Sequence, residues 1–312
     1  MSAKERISVI GSGLMGHGIA QIFALHGHDV CLYDINDDLL KKAMQGIRDN
    51  LEAFVHHGIA DAEAAKAAPG RVTCTTRLED TADADFIIEA VLENMELKQK
   101  IFSQLDALCK PGTVLASNTS VMSITEIAST SVGKDRILGT HFWNPPHLIP
   151  LVEVVQTEQT SLESVNKMMD ILRRVGKRPV HCRKDVPGFI GNRMQHALWR
   201  EALYIVEQGI ADPATVDETV RLSFGMRLPQ LGPLENADMV GLDLLLAIQS
   251  YVLPHLCDSH NPSPLVTEKN KTGELGFKTG KGLQAWTEEE QQTSRTALRE
   301  YLIELAVRRE KQ

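Results

Sequence analysis

Two side chains suited to proton transfer, His141 and Glu153, stand twelve positions apart in the segment GTHFWNPPHLIPLVEVV, residues 139–155. The Asn-Pro-Pro turn between them excludes a helix, because proline fixes φ and lacks an N–H. Twelve extended residues would span about 40 Å, so the chain must reverse if the two side chains are to meet. A carboxylate that accepts from one imidazole nitrogen fixes the tautomer, and leaves the other nitrogen free to take a proton from a hydroxyl. The segment predicts a general-base pair, and the alternative is a structural histidine at a strand end.

A glycine-rich segment, GSGLMG, follows the apolar run ISVI and opens a predicted helix. In a dinucleotide-binding loop the first glycine makes a tight turn, the second lets a pyrophosphate approach and the third lets the helix pack closely. Asp34 ends the second predicted strand, 23 residues after Gly11. Its carboxylate is placed to bind ribose hydroxyls and to repel the additional phosphate of NADP. The segment therefore predicts NAD, bound by Gly11, Gly13, Leu14, Met15, Gly16 and Asp34.

The two motifs complement each other. Hydride transfer from an alcohol to NAD leaves a proton to be removed, and a histidine held by a carboxylate is suited to remove it. Together they favour an NAD-dependent dehydrogenase.

These residues need a scaffold, and strand-like and helix-like segments alternate up to about residue 185. We predict strands at ISVI, HDVCLYD, FIIEAV, TVLASN and RILGTHFW, and helices that include residues 14–27 and 37–68. Alternation of this kind indicates a parallel sheet with helices on both faces. We predict an α/β Rossmann-type NAD-binding domain over 1–185, followed by an all-α helical domain over 186–286.

The last segment, 287–312, is predicted to be an amphipathic helical extension with Leu298, Leu302 and Leu305 on one face. Its charged residues indicate a solvated face, and docking against a partner subunit is the alternative.

The composition limits the classes of partner. The chain has 312 residues, 43% hydrophobic and 24% charged, with a net charge of −8. An acidic balance argues against a general nucleic-acid binder. We see no signal peptide and no apolar run long enough to cross a membrane. The five cysteines are scattered without metal-ligand spacing, so we expect free thiols, no metal site and a cytoplasmic location.

Several segments, in order, resemble the L-3-hydroxyacyl-CoA dehydrogenase family from the glycine loop to about residue 286. They are GSGLMGHGIAQ, EAVLENMELKQKIF, SNTSVMSITEIA, HFWNPPHLIPLVEV, DVPGFIGNR, GPLENADMVGLD and GFKTGKG. The resemblance implies an NAD-binding domain followed by a helical domain that dimerises, and hence a homodimer acting on a small-molecule substrate. The implied reaction is the reversible oxidation of the C3 hydroxyl of an L-3-hydroxyacyl-CoA.

The resemblance also implies roles for single residues. His141 resembles the catalytic base and Glu153 its carboxylate partner. Ser120 resembles a serine that binds the substrate near the nicotinamide, and Asn192 an asparagine that polarises the substrate. Without the resemblance, Ser120 would be interpreted as a turn cap and Asn192 as a helix N-terminal residue. Cofactor contacts are implied for Glu93, Lys98, Ser120, Asn144 and Lys278.

Four positions depart from the family members that use coenzyme A. Asn50 and His57 stand where those members commonly carry a serine and a lysine for the CoA moiety, Val121 replaces a serine, and Pro150 replaces a frequent lysine. Relatives that oxidise free hydroxy acids, such as carnitine and gulonate dehydrogenases, have similar features. Both substrate classes therefore stay open, and so does a third possibility, a catalytically idle NAD-binding protein like a lens crystallin.

Two tryptophans bear on the same question. Trp143 lies two residues after the predicted base, and Trp199 lies seven after Asn192. Aromatic rings there could shape an acyl pocket or hold a quaternary ammonium group. Core packing is the simpler interpretation of both.

Overall fold

The structure, a computed structural model, describes residues 4–310, and the side chains of residues 4–309. Contacts between residues divide it into two compact units. Unit 1 runs up to Arg193 and resumes at Arg299, and unit 2 is Met194–Leu298. The division differs from the predicted limits at 185/186 and 286/287, which follow sequence pattern and remain predictions.

An eight-stranded sheet forms the centre of unit 1. Its strands are β1 (Ile7–Ile10), β2 (Val30–Tyr33), β3 (Val72–Thr75), β4 (Phe86–Glu89), β5 (Val114–Ser117), β6 (Ile137–Phe142), β7 (Leu151–Val155) and β8 (Arg178–Cys182). They lie in the order β3-β2-β1-β4-β5-β6-β7-β8. All neighbouring strands are parallel except β6 and β7, which form an antiparallel pair.

Helices cover both faces of this sheet, as the sequence predicts. They are α1 (Leu14–Leu25), α2 (Asp37–His56), α3 (Ala62–Ala67), α4 (Met95–Leu108), α5 (Ile124–Ile127) and α6 (Leu162–Arg174). On one face α1, α2 and α6 contribute Phe23, Ile47 and Met168 to a buried cluster. On the other, α4 and α5 contribute Phe102 and Ile127 to a second cluster. Strands buried on both sides appear in sequence as continuous apolar runs, which explains ISVI and FIIE.

Three details of the sheet domain differ from the sequence-based expectation. The single helical stretch predicted over 37–68 is two helices, because the chain turns at Gly58 with φ of +68°, a conformation that favours glycine. Strands β3 and β8 escaped prediction because their half-exposed sequences, VTCT and RPVHC, lack an apolar run. The sheet is not wholly parallel, because β7 returns beside β6 through the Asn-Pro-Pro turn.

Unit 2 is built from helices, with two isolated β-bridges, Gly276–Lys281 and Lys281–Ala285, between the last two of them. The helices after β8 are α7 (Gly191–Glu207), α8 (Pro213–Leu222), α9 (Pro233–Val240), α10 (Leu242–Val252), α11 (Pro264–Lys271) and α12 (Glu288–Glu310), and α7 and α12 each cross the unit boundary. Within residues 4–310 no single helix is both long and apolar enough to span a membrane. The bent pair Pro233–Val240 and Leu242–His255 passes that test together by length and composition.

The end of α12 belongs to unit 1 and packs there through a face that includes part of the predicted one, since Leu302 packs against the buried cluster. Ile303 and Ala306 are buried in a small cluster with Phe54 of α2 and Leu148 of the β6–β7 turn. Leu298, predicted on the apolar face, is 58% exposed. Leu298 belongs to unit 2, whereas the part of α12 from Arg299 onward belongs to unit 1.

Candidate active site

His141 and Glu153 meet across the antiparallel pair. The register of β6 and β7 places His141 directly opposite Glu153, so that both side chains point to the same face of the sheet. Imidazole Nδ1 lies 2.7 Å from Oε2 of Glu153. The two residues are 4% and 0% exposed. An ionised carboxylate only accepts hydrogen bonds, so Nδ1 carries the hydrogen and Nε2 of the neutral ring is the basic nitrogen.

The second oxygen of Glu153 is held by the start of α7. Its Oε1 accepts hydrogen bonds from the backbone N–H groups of Ile190 and Gly191, both at 2.9 Å. Burial opposes ionisation of this carboxyl, but the hydrogen bonds from His141 and from these two N–H groups outweigh it and lower its pKa. Glu153 is therefore an ionised partner, and it holds α7 as well as the imidazole.

Aromatic rings enclose the histidine. The Trp143 and Phe189 rings lie 5.1 Å and 5.8 Å from the imidazole, centroid to centroid. Such walls keep the ring in one orientation and reduce the water around it.

Ser120 and Asn192 are also brought together. Nδ2 of Asn192 donates to the backbone carbonyl of Ser120 at 2.8 Å, although 72 residues separate them. Asn192 is 7% exposed, whereas Ser120 is exposed. Because Asn192 follows the two N–H groups that bind Glu153, one short segment of α7 links the His141–Glu153 pair to Ser120.

Glu93 and Lys98 lie behind Ser120. Oε1 of Glu93 accepts from the Ser120 N–H at 2.6 Å and from the Thr119 hydroxyl at 3.0 Å. Lys98 is only 1% exposed, and its Nζ lies 2.7 Å from Oε1 of Glu89 and 3.3 Å from Oε2 of Glu93. Its ammonium group is thus committed to two carboxylates, and its predicted contact with the cofactor stays a prediction.

Sequence reasoning missed Glu89. It ends β4 and is fully buried, with Oε1 bound to Lys98 and to the Val91 N–H and Oε2 bound to the Ser117 hydroxyl. The signal was available, because an acidic residue inside the apolar run FIIEAV must find a partner when buried.

The glycine loop fits a dinucleotide. Gly11 has φ of +95°, and a Cβ there would lie 2.8 Å from the Ala90 carbonyl oxygen. A Cβ on Gly16 would lie 1.7 Å from the Gly11 carbonyl oxygen, so α1 can pack here only without a side chain. Gly13, the N-cap of α1, has open space around its Cβ position and no capping side chain, so the first N–H groups of α1 remain available to a pyrophosphate. Leu14, 64% exposed, and Met15 begin the helix beside this space.

Asp34 follows β2, where a ribose contact is predicted. Its Oδ2 accepts from the N–H and the hydroxyl of Ser12, both at 2.7 Å, and its Oδ1 accepts from the Ile35 N–H. Ser12, an unassigned position of the glycine loop in the sequence, therefore fixes the acidic side chain to that loop.

Two residues predicted to contact the cofactor, Asn144 and Lys278, take no part in the hydrogen bonds described above. Asn144 is exposed in the β6–β7 turn. Lys278 is exposed in unit 2, between α11 and α12. Their roles remain predictions.

Comparison with family models identifies the family of both domains. Residues 6–186 match the 3-hydroxyacyl-CoA dehydrogenase NAD binding domain, and residues 188–286 match the C-terminal domain of the same family.

Individual relatives cover nearly the whole chain. A probable 3-hydroxybutyryl-CoA dehydrogenase of Bacillus subtilis (strain 168) is 38% identical over 91% of this chain and 98% of its own. A 5-formyl-3-hydroxy-2-methylpyridine 4-carboxylate 5-dehydrogenase of Mesorhizobium japonicum is 34% identical over 92% of each chain.

Solved structures agree. A crystal structure of 5-formyl-3-hydroxy-2-methylpyridine 4-carboxylic acid 5-dehydrogenase, described as an NAD+-dependent dismutase, superposes with a TM-score of 0.90 at 32% identity over 97% of both chains. A (S)-3-hydroxybutyryl-CoA dehydrogenase of Ralstonia eutropha superposes with a TM-score of 0.78 at 33% identity over 92% of this chain and 100% of its own. The chain belongs to the 3-hydroxyacyl-CoA dehydrogenase family and is an NAD-dependent oxidoreductase acting on CH–OH groups.

Proposed function

We propose that this protein oxidises the C3 hydroxyl of an L-3-hydroxyacyl-CoA to the 3-ketoacyl-CoA, reversibly, with His141 as the general base. The observation that carries the proposal is the buried 2.7 Å contact between Nδ1 of His141 and Glu153. Bound NAD supplies the hydride acceptor. The protein contributes binding, orientation and proton transfer.

Proton transfer is assigned to Nε2 of His141. As the hydroxyl loses its proton, the imidazole becomes a cation, which the ionised Glu153 stabilises at hydrogen-bond distance. The N–H groups of Ile190 and Gly191 hold the carboxylate in place, so the base keeps its orientation while its charge changes.

Ser120 and Asn192 are assigned to the substrate oxygen. The Ser120 hydroxyl is exposed next to a backbone fixed from both sides, by Glu93 at its N–H and by Asn192 at its carbonyl. Short polar side chains held this way are suited to donate to an oxygen that gains negative charge.

Cofactor binding is assigned to the glycine loop and Asp34. The N–H groups at the start of α1 are suited to a pyrophosphate, and the carboxylate of Asp34 is suited to ribose hydroxyls and opposed to a phosphate there.

A second candidate is the same chemistry on a free hydroxy acid, including carnitine- or gulonate-type substrates. The end of α12 packs on Phe54 of α2, the helix that carries Asn50 and precedes His57, and Arg309 donates to the Leu148 carbonyl at 2.7 Å. The pyridine carboxylate enzyme superposes over 97% of this chain, which leaves out too few residues to omit α12. A relative named for a ring carboxylate that superposes over nearly the whole of this chain favours a substrate without coenzyme A.

A substrate panel separates the two candidates. NAD reduction is followed with 3-hydroxybutyryl-CoA, free 3-hydroxybutyrate, L-carnitine and L-gulonate, and NADH oxidation with 5-formyl-3-hydroxy-2-methylpyridine 4-carboxylate. The leading proposal expects kcat/KM to be highest for the CoA thioester. Turnover of free acids alone would replace it with the second candidate, and NAD binding without any turnover would contradict both.

We also propose a homodimer formed through unit 2. Large apolar side chains of α10 are open to solvent, with Leu244, Leu246 and Tyr251 exposed by 51%, 67% and 78%. Helices α8 to α11 bury no residue in the single chain. Surfaces of this kind mark sites of protein association.

Light scattering after size exclusion tests the dimer. The wild type should have twice the chain mass of 34.5 kDa. Leu246→Glu should shift it toward the monomer, whereas the control Leu162→Glu, at a 62% exposed position of α6, should not. A monomeric wild type would refute the proposal.

A further inference from the structure

We propose that Glu89 is a positioning residue for the active site, and that it acts by fixing the Thr119–Ser120 segment through two separate routes. The inference rests on the proposed function, since it concerns how Ser120 is held for its substrate. None of the sequence motifs described above assigns a role to Glu89.

The first route runs through charged side chains. Oε1 of Glu89 binds Nζ of Lys98 at 2.7 Å, and the same Nζ lies 3.3 Å from Oε2 of Glu93. Oε1 of Glu93 then accepts from the Ser120 N–H at 2.6 Å and from the Thr119 hydroxyl at 3.0 Å.

The second route runs through Ser117. Oε2 of Glu89 accepts from the Ser117 hydroxyl at 2.7 Å, and the oxygen of that hydroxyl accepts from the Thr119 N–H at 3.2 Å. Ser117 and Thr119 are fully buried, so water does not replace these bonds. Both carboxylate oxygens of Glu89 thus lead to Thr119, and the first route also reaches the Ser120 N–H.

The charges explain why Glu89 matters for Ser120. Lys98 is shared between a carboxylate that is fully buried and one whose side chain is 41% exposed. When Glu89 loses its charge, Glu93 becomes the sole counter-ion of a buried ammonium group, and attraction draws it toward Lys98. Each step toward Lys98 lengthens the bonds from Glu93 to Thr119 and Ser120. Glu89 therefore keeps Glu93 available to the loop.

A double-mutant cycle tests this coupling. Glu89→Gln keeps the side-chain shape and removes the charge. We expect it to lower kcat at saturating NAD and substrate by about tenfold in the wild-type background, and by less than about twofold in a Ser120→Ala background. Equal losses in both backgrounds would refute a positioning role. Ser117→Ala, which cuts only the second route, should show the same pattern with a smaller loss, and serves if Glu89→Gln does not fold.

Asp106→Asn is the matched control. Asp106 lies on α4, the helix of Lys98, and forms another buried ion pair, with Arg136 at 2.7 Å. Its carboxylate accepts hydrogen bonds from Val132, Gly133 and Arg136, which lie outside the two routes from Glu89. We expect this variant to lower the melting temperature and to leave kcat within about twofold of wild type. A tenfold loss of kcat in the control would mean that any buried ion pair of α4 affects turnover, which would overturn the proposal.

A spectroscopic measurement separates failure of this inference from failure of the proposed function. The Ser120 N–H donates to a carboxylate at 2.6 Å, so its proton resonance should lie downfield in the NMR spectrum of the whole protein. Glu89→Gln should move it upfield, and Asp106→Asn should not. This result needs no substrate, so it stands if the panel of hydroxy acids shows no turnover. An unmoved Ser120 resonance in Glu89→Gln would refute the relay.

Discussion

Replacing Glu153 with glutamine is the sharpest test of the base assignment. The amide oxygen of glutamine can still accept from the Ile190 and Gly191 N–H groups, which lie 2.9 Å from Oε1. The NH2 group then occupies the position of Oε2, 2.7 Å from Nδ1 of His141. An NH2 group donates, so Nδ1 must become the acceptor and the ring hydrogen moves to Nε2. The variant would thus keep the packing and deprive Nε2 of its basic lone pair.

The size of the effect follows from that change of tautomer. Loss of a positioned general base costs about 10²–10⁴ in rate, or about 3–5 kcal/mol of transition-state stabilisation. The effect on folding is smaller, about 1–3 kcal/mol, because one charged hydrogen-bond acceptor is lost while its burial becomes less unfavourable. We expect kcat to fall about 10³-fold, with KM for NAD within about threefold of wild type.

Steady-state kinetics at saturating NAD and substrate, together with NAD binding measured by fluorescence, provide the assay. His141→Gln should lose a similar factor, and the double variant should lose little more than either single one, because the two residues act as a unit. A Glu153→Gln enzyme with kcat within fivefold of wild type would refute the base assignment. A matching loss of NAD affinity would instead locate the damage at the cofactor.

Two further variants test the cofactor site and the turn behind the base. Asp34→Ala should raise KM for NAD by about tenfold or more and reduce the preference for NAD over NADP, since a charged acceptor is lost; an unchanged ratio of the two KM values would contradict the ribose role. Lys177 donates to the carbonyls of Pro146 and Ile149, and burial, aided by the charge of Arg309, lowers its pKa from 10.5 to about 7. The unfolded chain then binds more protons than the folded one between these values, so Lys177 itself should add up to about 5 kcal/mol of stability from pH 7 to 10.5, and Lys177→Met should lower the slope of stability against pH by that amount in urea denaturation at several pH values; an identical slope in both proteins would contradict the lowered pKa.

The sequence predicts some of this site and not the rest for identifiable reasons. His141 and Glu153 are local, since prolines force the reversal and both residues lie on one hairpin. The glycine loop is equally local. Ser120 and Asn192 are linked across 72 residues, and their types alone indicate only capping. Their assignment therefore depended on the family resemblance.

Lys98 shows the limit of composition. In MELKQK it looks like a surface lysine, yet it is 1% exposed between two carboxylates. Its burial depends on which face of α4 packs against β4, and the local sequence does not determine that packing. Likewise the helix predicted over 37–68 reflects good helix formers throughout, and only Gly58 at its positive φ breaks it. The exposure of Leu298 has the same origin, because α12 belongs to unit 1 only from Arg299 onward.

The return of α12 to unit 1 has a consequence for synthesis. Ile303 packs in the cluster of Leu148, 155 residues earlier in the chain. At about 5–20 residues per second, a ribosome needs roughly 8–30 s to make that intervening segment. During this interval the nascent sheet domain carries an uncovered apolar patch around Phe54 and Leu148. Folding of the NAD-binding unit is thus completed only after unit 2 has been made, and the interval gives chaperones a defined surface to protect.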